Sequence, residues 1–333
     1  MPDFAQLCIK KRKLSVMFLQ SIYVKLRTSH CYCIYCIVMK IQVVAPSACV
    51  DSDQIALSQQ QIQALDVDVQ LSEHLFASHR YLAGSVAQRI ADLKHASQDH
   101  SIDAIWCGRG GTGAAQLLPE LDTWLLTKPI IGYSDSTVLL NYIAMQGGQA
   151  LHAPVFQEIA TKNLNEVMPI SKDGQEVLAL LHPMFAQMPQ RYAVTPYNTL
   201  AQQQHAISGK ILGGNLTTLC SVQGTPWALT LEQDSILLIE DVGEPYYSLE
   251  RLLVQLLQSV DCAKIRAIVM GDFYLCPQKN VPHELMAIFA EHCDRLQIPL
   301  FQADWFGHGE QNRPFWLGTK GQIQSTELMI CKT

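Results

Sequence analysis

Beyond residue 38, the sequence lacks the cysteine pairs, basic clusters and long apolar runs that mark several classes of protein. Seven of its eleven cysteines lie there, and no two of them form a CxxC pair. Their scatter argues against a zinc site and a disulfide framework, and it favours a reducing, cytoplasmic setting. A formal net charge of −6 gives no electrostatic reason to expect nucleic acid, which a concentrated basic face would bind. No apolar run reaches the roughly 20 residues that span a bilayer, so we expect no membrane partner either.

The first 38 residues differ from the rest in charge and in cysteine content. They carry six Lys or Arg and one acid, a net charge of +5, whereas the remaining 18 basic and 29 acidic residues give −11. Cys31, Cys33 and Cys36 resemble a metal ligand set, but no suitably spaced His completes it. The basic start and short apolar run resemble a signal peptide, but polar residues interrupt the run and no cleavage site follows. We expect a mis-assigned upstream extension, with translation starting at Met39; an export leader and a real folded element are the alternatives.

From Met39, short apolar runs alternate with amphipathic stretches. The alternation predicts βαβ units, with a parallel sheet covered on both faces by helices. Right-handed crossovers then give a doubly wound α/β domain of the Rossmann or flavodoxin type over residues 39–160. The predicted strands are IQVVAP, DVDVQL, IDAIWC and KPIIGYS, and the predicted helices are Ser52 to Leu65, SVAQRIADLKHAS, AAQLLPELDTWL and STVLLNYIAMQ.

Residues 161–208 do not show this alternation of apolar runs and amphipathic stretches. The segment is rich in Pro and Gln and is interpreted as a connection between two domains. Residues 209–333 form a second apolar block, in which glycine turns separate the strands and one clear helix lies around Ser248–Gln258. We therefore predict a C-terminal, β-rich α/β domain.

The stretch GRGGTG, residues 108–113, satisfies the pattern G-x-G-x-x-G after a predicted strand. Such a loop can hold a pyrophosphate against backbone amides at a helix N-terminus. The dinucleotide fingerprint, however, belongs to the first strand of its sheet, and this loop follows the third. Three interpretations stay open: a nucleotide site, a structural glycine turn, or a loop that supplies exposed N–H donors beside a catalytic group.

Ser134 lies where the strand KPIIGY meets the helix STVLLNYIAM. A sharp strand-to-helix turn exposes a side-chain oxygen at the carboxyl edge of the sheet and directs free N–H groups toward it. That placement suits a nucleophile whose attack generates an oxyanion. The alternative is that Ser134, Asp135 or Ser136 only caps the helix. The sequence GYSDS also differs from the G-x-S-x-G elbow of the α/β-hydrolases.

Taken together, six blocks resemble the LD-carboxypeptidase family, which contains cytoplasmic bacterial serine peptidases that trim murein tetrapeptides. The resemblance runs in order from about residue 41 to residue 325 and leaves the first 38 residues unmatched. The blocks are YLAGS (81–85), DAIWCGRGGTGAAQLLPELD (103–122), KPIIGYSDST (128–137), GGNLTTL (213–219), LLIEDVGEPYYSLER (237–251) and FGHG (306–309).

The resemblance implies a catalytic triad of Ser134, Glu240 and His308. In that mechanism the histidine takes the serine proton, and the glutamate orients the imidazole and stabilises its charged form. Each residue alone also has an ordinary interpretation: a helix cap, a strand-end acid and a solvated loop histidine. Asp241 and Glu244 compete with Glu240, and only the resemblance selects among the three.

The same resemblance implies that the backbone amides of Gly110 or Gly111 and of Asp135 form the oxyanion hole. Arg109, beside this loop, is a candidate for holding a substrate carboxylate, and the alternative is a plain surface arginine. Thr112 is a departure, because the family pattern has tyrosine at this position, and the smaller side chain could change the pocket wall.

The implied function is hydrolysis of the L,D amide that releases terminal D-alanine from murein tetrapeptide. The resemblance implies no metal or other cofactor, and it suggests a homodimer. Two alternatives stay open: a microcin-immunity-like serine peptidase that cleaves a peptidyl-nucleotide amide, and a nucleotide-binding protein without peptidase activity that uses GRGGTG.

Overall fold

The computed structural model describes residues 39–332, apart from 163, 166–167, 183–187, 205 and 280. The predictions for residues 1–38 therefore lie outside the described residues. Within the described ranges, no helix combines the length and the apolar character that a membrane crossing would need.

Sixteen strands and eight α-helices make up the described part of the chain. The strands are β1 (Lys40–Val44), β2 (Asp68–Leu71), β3 (Ala104–Cys107), β4 (Ile130–Gly132), β5 (Ala150–His152), β6 (Leu164–Asn165), β7 (Met168–Ser171), β8 (Gln190–Ala193), β9 (Thr195–Pro196), β10 (Ala206–Asn215), β11 (Ser235–Val242), β12 (Ile265–Tyr274), β13 (Leu300–Gly307), β14 (Phe315–Leu317), β15 (Lys320–Gln324) and β16 (Glu327–Cys331). The helices are α1 (Ser52–Gln63), α2 (Val86–Gln98), α3 (Thr137–Met145), α4 (Lys172–Leu181), α5 (Thr199–Gln203), α6 (Leu216–Ser221), α7 (Tyr246–Ser259) and α8 (Leu285–Arg295).

The first sheet has the order β2-β1-β3-β4-β5, with β14 added at the β5 edge. The first five strands are parallel, and β14 runs antiparallel to β5. An order of 2-1-3-4-5 is that of flavodoxin-like doubly wound sheets, whose ligands bind outside the carboxyl ends of the strands. The predicted N-terminal fold is confirmed.

The second sheet is mixed and has the order β8-β16-β15-β10-β11-β12-β13-β9. The four strands β10 to β13 are parallel, and the strands outside them pair antiparallel. The predicted β-rich α/β character of this region is confirmed. Two features cross the predicted domain boundaries: β8 and β9, from residues 161–208, belong to the second sheet, and β14, from the C-terminal region, belongs to the first. The domain boundaries at 160 and 208 stay a prediction.

Local sequence explains where the first two helices begin. The Asp51 side chain accepts from the amides of Asp53 and Gln54 at the start of α1. At α2, Ser85 and Gln88 form a reciprocal capping box. Such caps satisfy amides that have no partner within the helix.

Two helix predictions need correction. The segment AAQLLPELDTWL, predicted as one α-helix, forms two short 3-10 helices, Ala114–Glu120 and Thr123–Thr127. Pro119 lacks an N–H, and the Asp122 side chain accepts from the Thr123 amide, so a new turn begins there. In the second half, α8 was not predicted, although its buried side chains Leu285, Phe289 and Cys293 have helical spacing.

Side chains of α3 join the two sheets. Asn141 Nδ2 donates to the carbonyl of Gly213 at 2.7 Å, and the Gly213 amide donates back to Asn141 Oδ1 at 3.0 Å. Thr137 Oγ1 accepts from the Asn215 amide at 3.1 Å. A Cβ on Gly214 would lie 2.7 Å from Thr137 Oγ1, so glycine is required for this close approach. The helix that follows Ser134 is thereby fixed against β10.

Candidate active site

The three residues of the predicted triad all lie at the carboxyl ends of parallel strands. Ser134 follows β4, Glu240 lies near the end of β11, and His308 follows β13. Ser134 belongs to the first sheet, and Glu240 and His308 belong to the second. In open α/β sheets, ligands bind outside the carboxyl ends of the parallel strands.

Ser134 has a strained backbone. Its φ of 59° lies in the left-handed region, which is unfavourable for a residue with a Cβ. Strain of this kind is concentrated at functional sites, and a sharp strand-to-helix turn is the conformation that exposes a nucleophilic serine. No side chain caps α3, whose N-cap residue is Ser136, so the helix-cap interpretation does not account for the Ser-Asp-Ser sequence.

Glu240 and His308 form a short hydrogen bond. Glu240 Oε2 lies 2.6 Å from His308 Nδ1, with the Glu240 side chain fully buried and the His308 side chain 13% exposed. His308 is therefore not a solvated loop histidine. Burial by itself lowers the pKa of His308, but the charge and hydrogen bond of Glu240, together with the charge of Glu158, raise it above its ordinary value.

Tyr133, the residue between β4 and Ser134, packs against His308. The ring of Tyr133 lies 4.7 Å from the imidazole of His308, centroid to centroid. Within the described residues, Ser134 Oγ forms no hydrogen bond to His308. Free enzymes commonly have long or poorly aligned hydrogen bonds at this step, which tighten when substrate binds.

The two acids that compete with Glu240 have other positions. Asp241 is buried and accepts hydrogen bonds from Asn215 Nδ2 at 3.1 Å and from the amide and hydroxyl of Thr217 at 2.8 Å each. Glu244 lies beyond the end of β11. Of the three acids, Glu240 is the one hydrogen-bonded to His308.

The glycine loop packs directly against Ser134. A Cβ on Gly110 would lie 2.8 Å from Ser134 Oγ, and one on Gly111, where φ is 99°, would lie 2.7 Å from Ala48 Cβ. Within the part of the chain that the structure describes, the amides of Gly110, Gly111 and Asp135 donate to no protein acceptor. These are the amides that the sequence predicts as oxyanion donors.

Two buried charged side chains, those of Asp135 and Arg89, bond the backbone at the end of the glycine loop. Asp135 Oδ2 accepts from the Ala114 amide at 2.8 Å, and Arg89 Nη1 donates to the carbonyl of Gly113 at 2.9 Å. Burial raises the pKa of the Asp135 carboxyl, against the Ser47 hydroxyl, the Ala114 amide and the Arg89 charge, which lower it. A bound pyrophosphate would need amides at the start of a helix, and here Asp135 already occupies that of Ala114. The Ala114 amide is therefore not free to bind a pyrophosphate.

Arg109 lies within the glycine loop, next to Gly110, and is exposed. Its Nη1 donates to the carbonyl of Cys49 at 2.7 Å. That contact leaves the other guanidinium N–H groups able to meet a ligand, so its assignment as a carboxylate clamp stays a prediction.

Sequence reasoning missed three residues near His308, namely Tyr133, Glu158 and Lys162. Tyr133 donates to the carboxylate of Glu158 at 2.7 Å, and Lys162 Nζ donates to the carbonyl of His308 at 2.8 Å. Both Glu158 and Lys162 lie in a segment without a recognisable motif. His152 is fully buried, bonds Asn312 Oδ1 through Nε2 at 3.1 Å, and has a pKa lowered by burial to about 4.

No group of three or more His, Cys, Asp or Glu that could hold a metal ion occurs among the described residues. The side chains of Ser134, Glu240 and His308 are of the kinds that perform acid–base and nucleophilic chemistry.

Comparison with known proteins identifies the family. Residues 41–153 match the LD-carboxypeptidase N-terminal domain, and residues 208–323 match the LD-carboxypeptidase C-terminal domain. A murein tetrapeptide carboxypeptidase of Pseudomonas aeruginosa is 37% identical over 293 residues, which cover 87% of this chain and 94% of that protein. The chain belongs to the LD-carboxypeptidase family. Its membership makes it a hydrolase of the carboxypeptidase class.

Solved structures of similar fold agree with this assignment. A muramoyltetrapeptide carboxypeptidase from Oxalobacter formigenes gives a TM-score of 0.74 at 22% identity, covering 88% of this chain and 99% of that one. The microcin C7 self-immunity protein MccF gives 0.71 at 18% identity, covering 89% and 97%. At these identities, the comparison establishes the LD-carboxypeptidase fold and leaves substrate preference to the site itself.

Proposed function

We propose that the protein is a serine-type LD-carboxypeptidase that releases terminal D-alanine from murein tetrapeptide. The observation that carries the proposal is the 2.6 Å contact of buried Glu240 with His308. Both residues, like the strained Ser134, lie at the carboxyl ends of parallel strands. The similarity to a murein tetrapeptide carboxypeptidase of Pseudomonas aeruginosa supports the substrate class.

The proposed reaction begins with proton transfer. His308 Nε2 takes the hydroxyl proton of Ser134 as its oxygen attacks the amide carbon. Glu240, bonded to Nδ1, fixes the tautomer and stabilises the imidazolium that forms. His308 then returns the proton to the departing D-alanine nitrogen, which leaves an ester between the substrate acyl group and Ser134 Oγ. In the second half of the reaction, His308 takes a proton from water as it attacks this ester and gives it to Ser134 Oγ as the ester bond breaks.

The glycine loop stabilises the charge that develops on the carbonyl oxygen. The amides of Gly110 or Gly111 and of Asp135 are free to donate, and glycine leaves room for the tetrahedral centre above Ser134. Arg109 lies within the same loop, where it can pair with the carboxylate of the terminal D-amino acid.

We also propose a cytoplasmic homodimer. All cysteines of the described part of the chain are free, as in a reducing compartment, and the family resemblance suggests two subunits. Sedimentation of the purified protein at about twice the mass of one chain would support the dimer, and a single-chain mass would refute it.

The proposal is tested with two substrates. Purified protein is incubated with murein tetrapeptide and with a peptidyl-nucleotide amide, and the Ser134→Ala variant serves as the matched control. We expect release of D-alanine from the tetrapeptide by the wild type alone. Cleavage of only the nucleotide amide would instead assign a microcin-immunity-like activity, and cleavage of neither would refute the peptidase proposal.

A further inference from the structure

The loop that carries His308 is flanked by glycines, so contacts from other segments of the chain are needed to fix its conformation. His308 lies between Gly307, where φ is 131°, and Gly309. Glycine gives the backbone more conformational freedom than any other residue. The bond to Glu240 fixes one ring nitrogen, so further contacts must hold the plane of the ring and the backbone of the loop.

A single turn, residues 156–162, provides two such contacts. It begins with the 3-10 helix Phe156–Glu158 and ends where the Lys162 amide donates to the carbonyl of Glu158 at 2.9 Å. Residues four apart in a helical turn lie on the same side of it. The amide of Gln157 donates to the carbonyl of Gly108 at 3.2 Å, which fixes this turn beside the glycine loop.

The two side chains reach His308 by different routes. Lys162 Nζ donates to the carbonyl oxygen of His308 at 2.8 Å. Glu158 accepts from the Tyr133 hydroxyl at 2.7 Å and 3.0 Å through its two oxygens. The Tyr133 ring, 2% exposed, lies 4.7 Å from the imidazole at an angle of 48°. A ring fixed at its hydroxyl in this way restricts the plane of the imidazole that packs against it.

We propose that the 156–162 turn positions the imidazole of His308: Lys162 holds its backbone, and Glu158 holds its ring through Tyr133. This inference rests on the proposed function only where it calls the imidazole catalytic. Glu158 and Lys162 are positioning residues, since their contacts are with His308 and Tyr133 and not with the reacting atoms.

The charges of the turn also act on His308 in opposite directions. Burial lowers the pKa of His308, Glu240 and Glu158 raise it, and Lys162 lowers it. The loss of Glu158's charge should therefore lower this pKa, and the loss of Lys162's charge should raise it. The charged and titratable groups that surround the imidazole are Glu240 of β11, Glu158 and Lys162 of the turn, Asp272 of β12, His152 of β5 and Tyr133 after β4.

The test compares Glu158→Gln and Lys162→Met with the wild type. Misplacement of the base should reduce kcat by roughly 10- to 100-fold with little change in KM. Because the base must be neutral, kcat/KM rises as His308 loses its proton. We expect the acid limb of that profile to move to lower pH in Glu158→Gln and to higher pH in Lys162→Met. Lys162→Arg, which keeps the charge and the donor, should restore most of the activity.

Matched controls and a second readout separate this inference from the proposed function. The exposed Glu120→Gln and Lys94→Met variants change the same charges away from the site and should behave as the wild type. NMR titration of the His308 imidazole, assigned with a His308→Gln variant, needs no substrate. It tests the inference even if the wild type releases no D-alanine.

The two pKa shifts of opposite sign are the decisive result. A general loss of folding cannot produce them, because it would affect both variants alike. Shifts of the same sign, or kcat values and His308 titrations equal to those of the controls in both variants, would overturn the inference.

Discussion

At the scale of single residues, the site depends on how closely the backbone of Gly110 approaches the hydroxyl of Ser134. A Cβ on Gly110 would lie 2.8 Å from both Cβ and Oγ of Ser134, which is nearer than non-bonded atoms can come. The absence of a side chain is therefore what allows the loop to lie next to Ser134, the proposed nucleophile.

Gly110→Ala is accordingly expected to lower kcat/KM strongly. The added methyl group displaces either the hydroxyl or the loop, and misplacement of this size costs roughly 100-fold in kcat/KM. Steady-state kinetics of D-alanine release measure the effect. Gly224→Ala is the control, since nothing lies within 4 Å of a Cβ there and its cost is backbone strain at a φ of 83°. Wild-type turnover by a folded Gly110→Ala protein would show that the loop does not take part.

At the scale of elements, neighbouring acids at the end of β11 have separate tasks. The side chain of Glu240 bonds His308, whereas that of Asp241 receives the donors of Asn215 and Thr217 at the start of α6. The pairing of β11 with β12 is irregular between Ile239 and Asp241, and the two adjacent carboxylates have different partners. Glu240 contacts His308, the proposed base, and Asp241 contacts the start of α6.

Glu240→Gln should therefore affect mainly kcat, and Asp241→Asn should affect mainly the free energy of unfolding. Glu240→Gln should reduce kcat by roughly 10⁴-fold, as the loss of the triad acid does elsewhere, with little change in the free energy of unfolding. Asp241→Asn leaves donors of Thr217 facing an amide, which should lower that free energy by about 2 kcal/mol and spare kcat. Urea unfolding and kinetics on the same preparations give both quantities. If Asp241→Asn were inactive and stable while Glu240→Gln was active, the two roles would have to be exchanged.

At the scale of the whole molecule, β14 brings the C-terminal region against the first sheet. His152 of β5 pairs with Phe315 of β14, stacks on its ring at 4.4 Å and bonds Asn312. Burial lowers the pKa of His152 from 6.5 to about 4. Between these values the unfolded chain binds a proton that the folded protein does not, so stability falls as the pH falls.

The buried histidine predicts a measurable acid sensitivity. Lowering the pH from 7 to 5 should cost about 2 kcal/mol through His152 alone. The comparison is urea unfolding of the wild type and of His152→Phe at both pH values. The variant, which keeps an aromatic ring against Phe315, should lose less stability over this interval. Equal losses in the two proteins would show that His152 does not titrate abnormally.

The sequence predicted the strands β1 to β4 of the first sheet, because each is a short apolar run followed by a stretch with helical spacing. It did not predict β5, nor that β14 belongs to the same sheet. It did not predict that AAQLLPELDTWL would form two 3-10 helices, since the apolar spacing favours an α-helix until Pro119 and Asp122 are weighed. Helix α8 was missed for a different reason: its pattern lies among glycine-separated strands and was interpreted with them.

The candidate site was predictable to a similar degree. Ser134, Glu240 and His308 stand in motifs, and the structure brings Glu240 to His308 from 68 residues away. Their catalytic roles stay predictions. Glu158 and Lys162 could not have been found, because their contacts with Tyr133 and His308 depend on how the chain folds between β5 and α4.

The central claim is that Ser134 and His308 act as one unit in amide hydrolysis. The most direct test is the rate of D-alanine release by Ser134→Ala, His308→Gln and the double variant, with folding verified by urea unfolding. We predict that each single change lowers kcat by roughly 10⁶-fold and that the double variant is no slower than either. A single variant that retained kcat within about tenfold of the wild type would contradict the account.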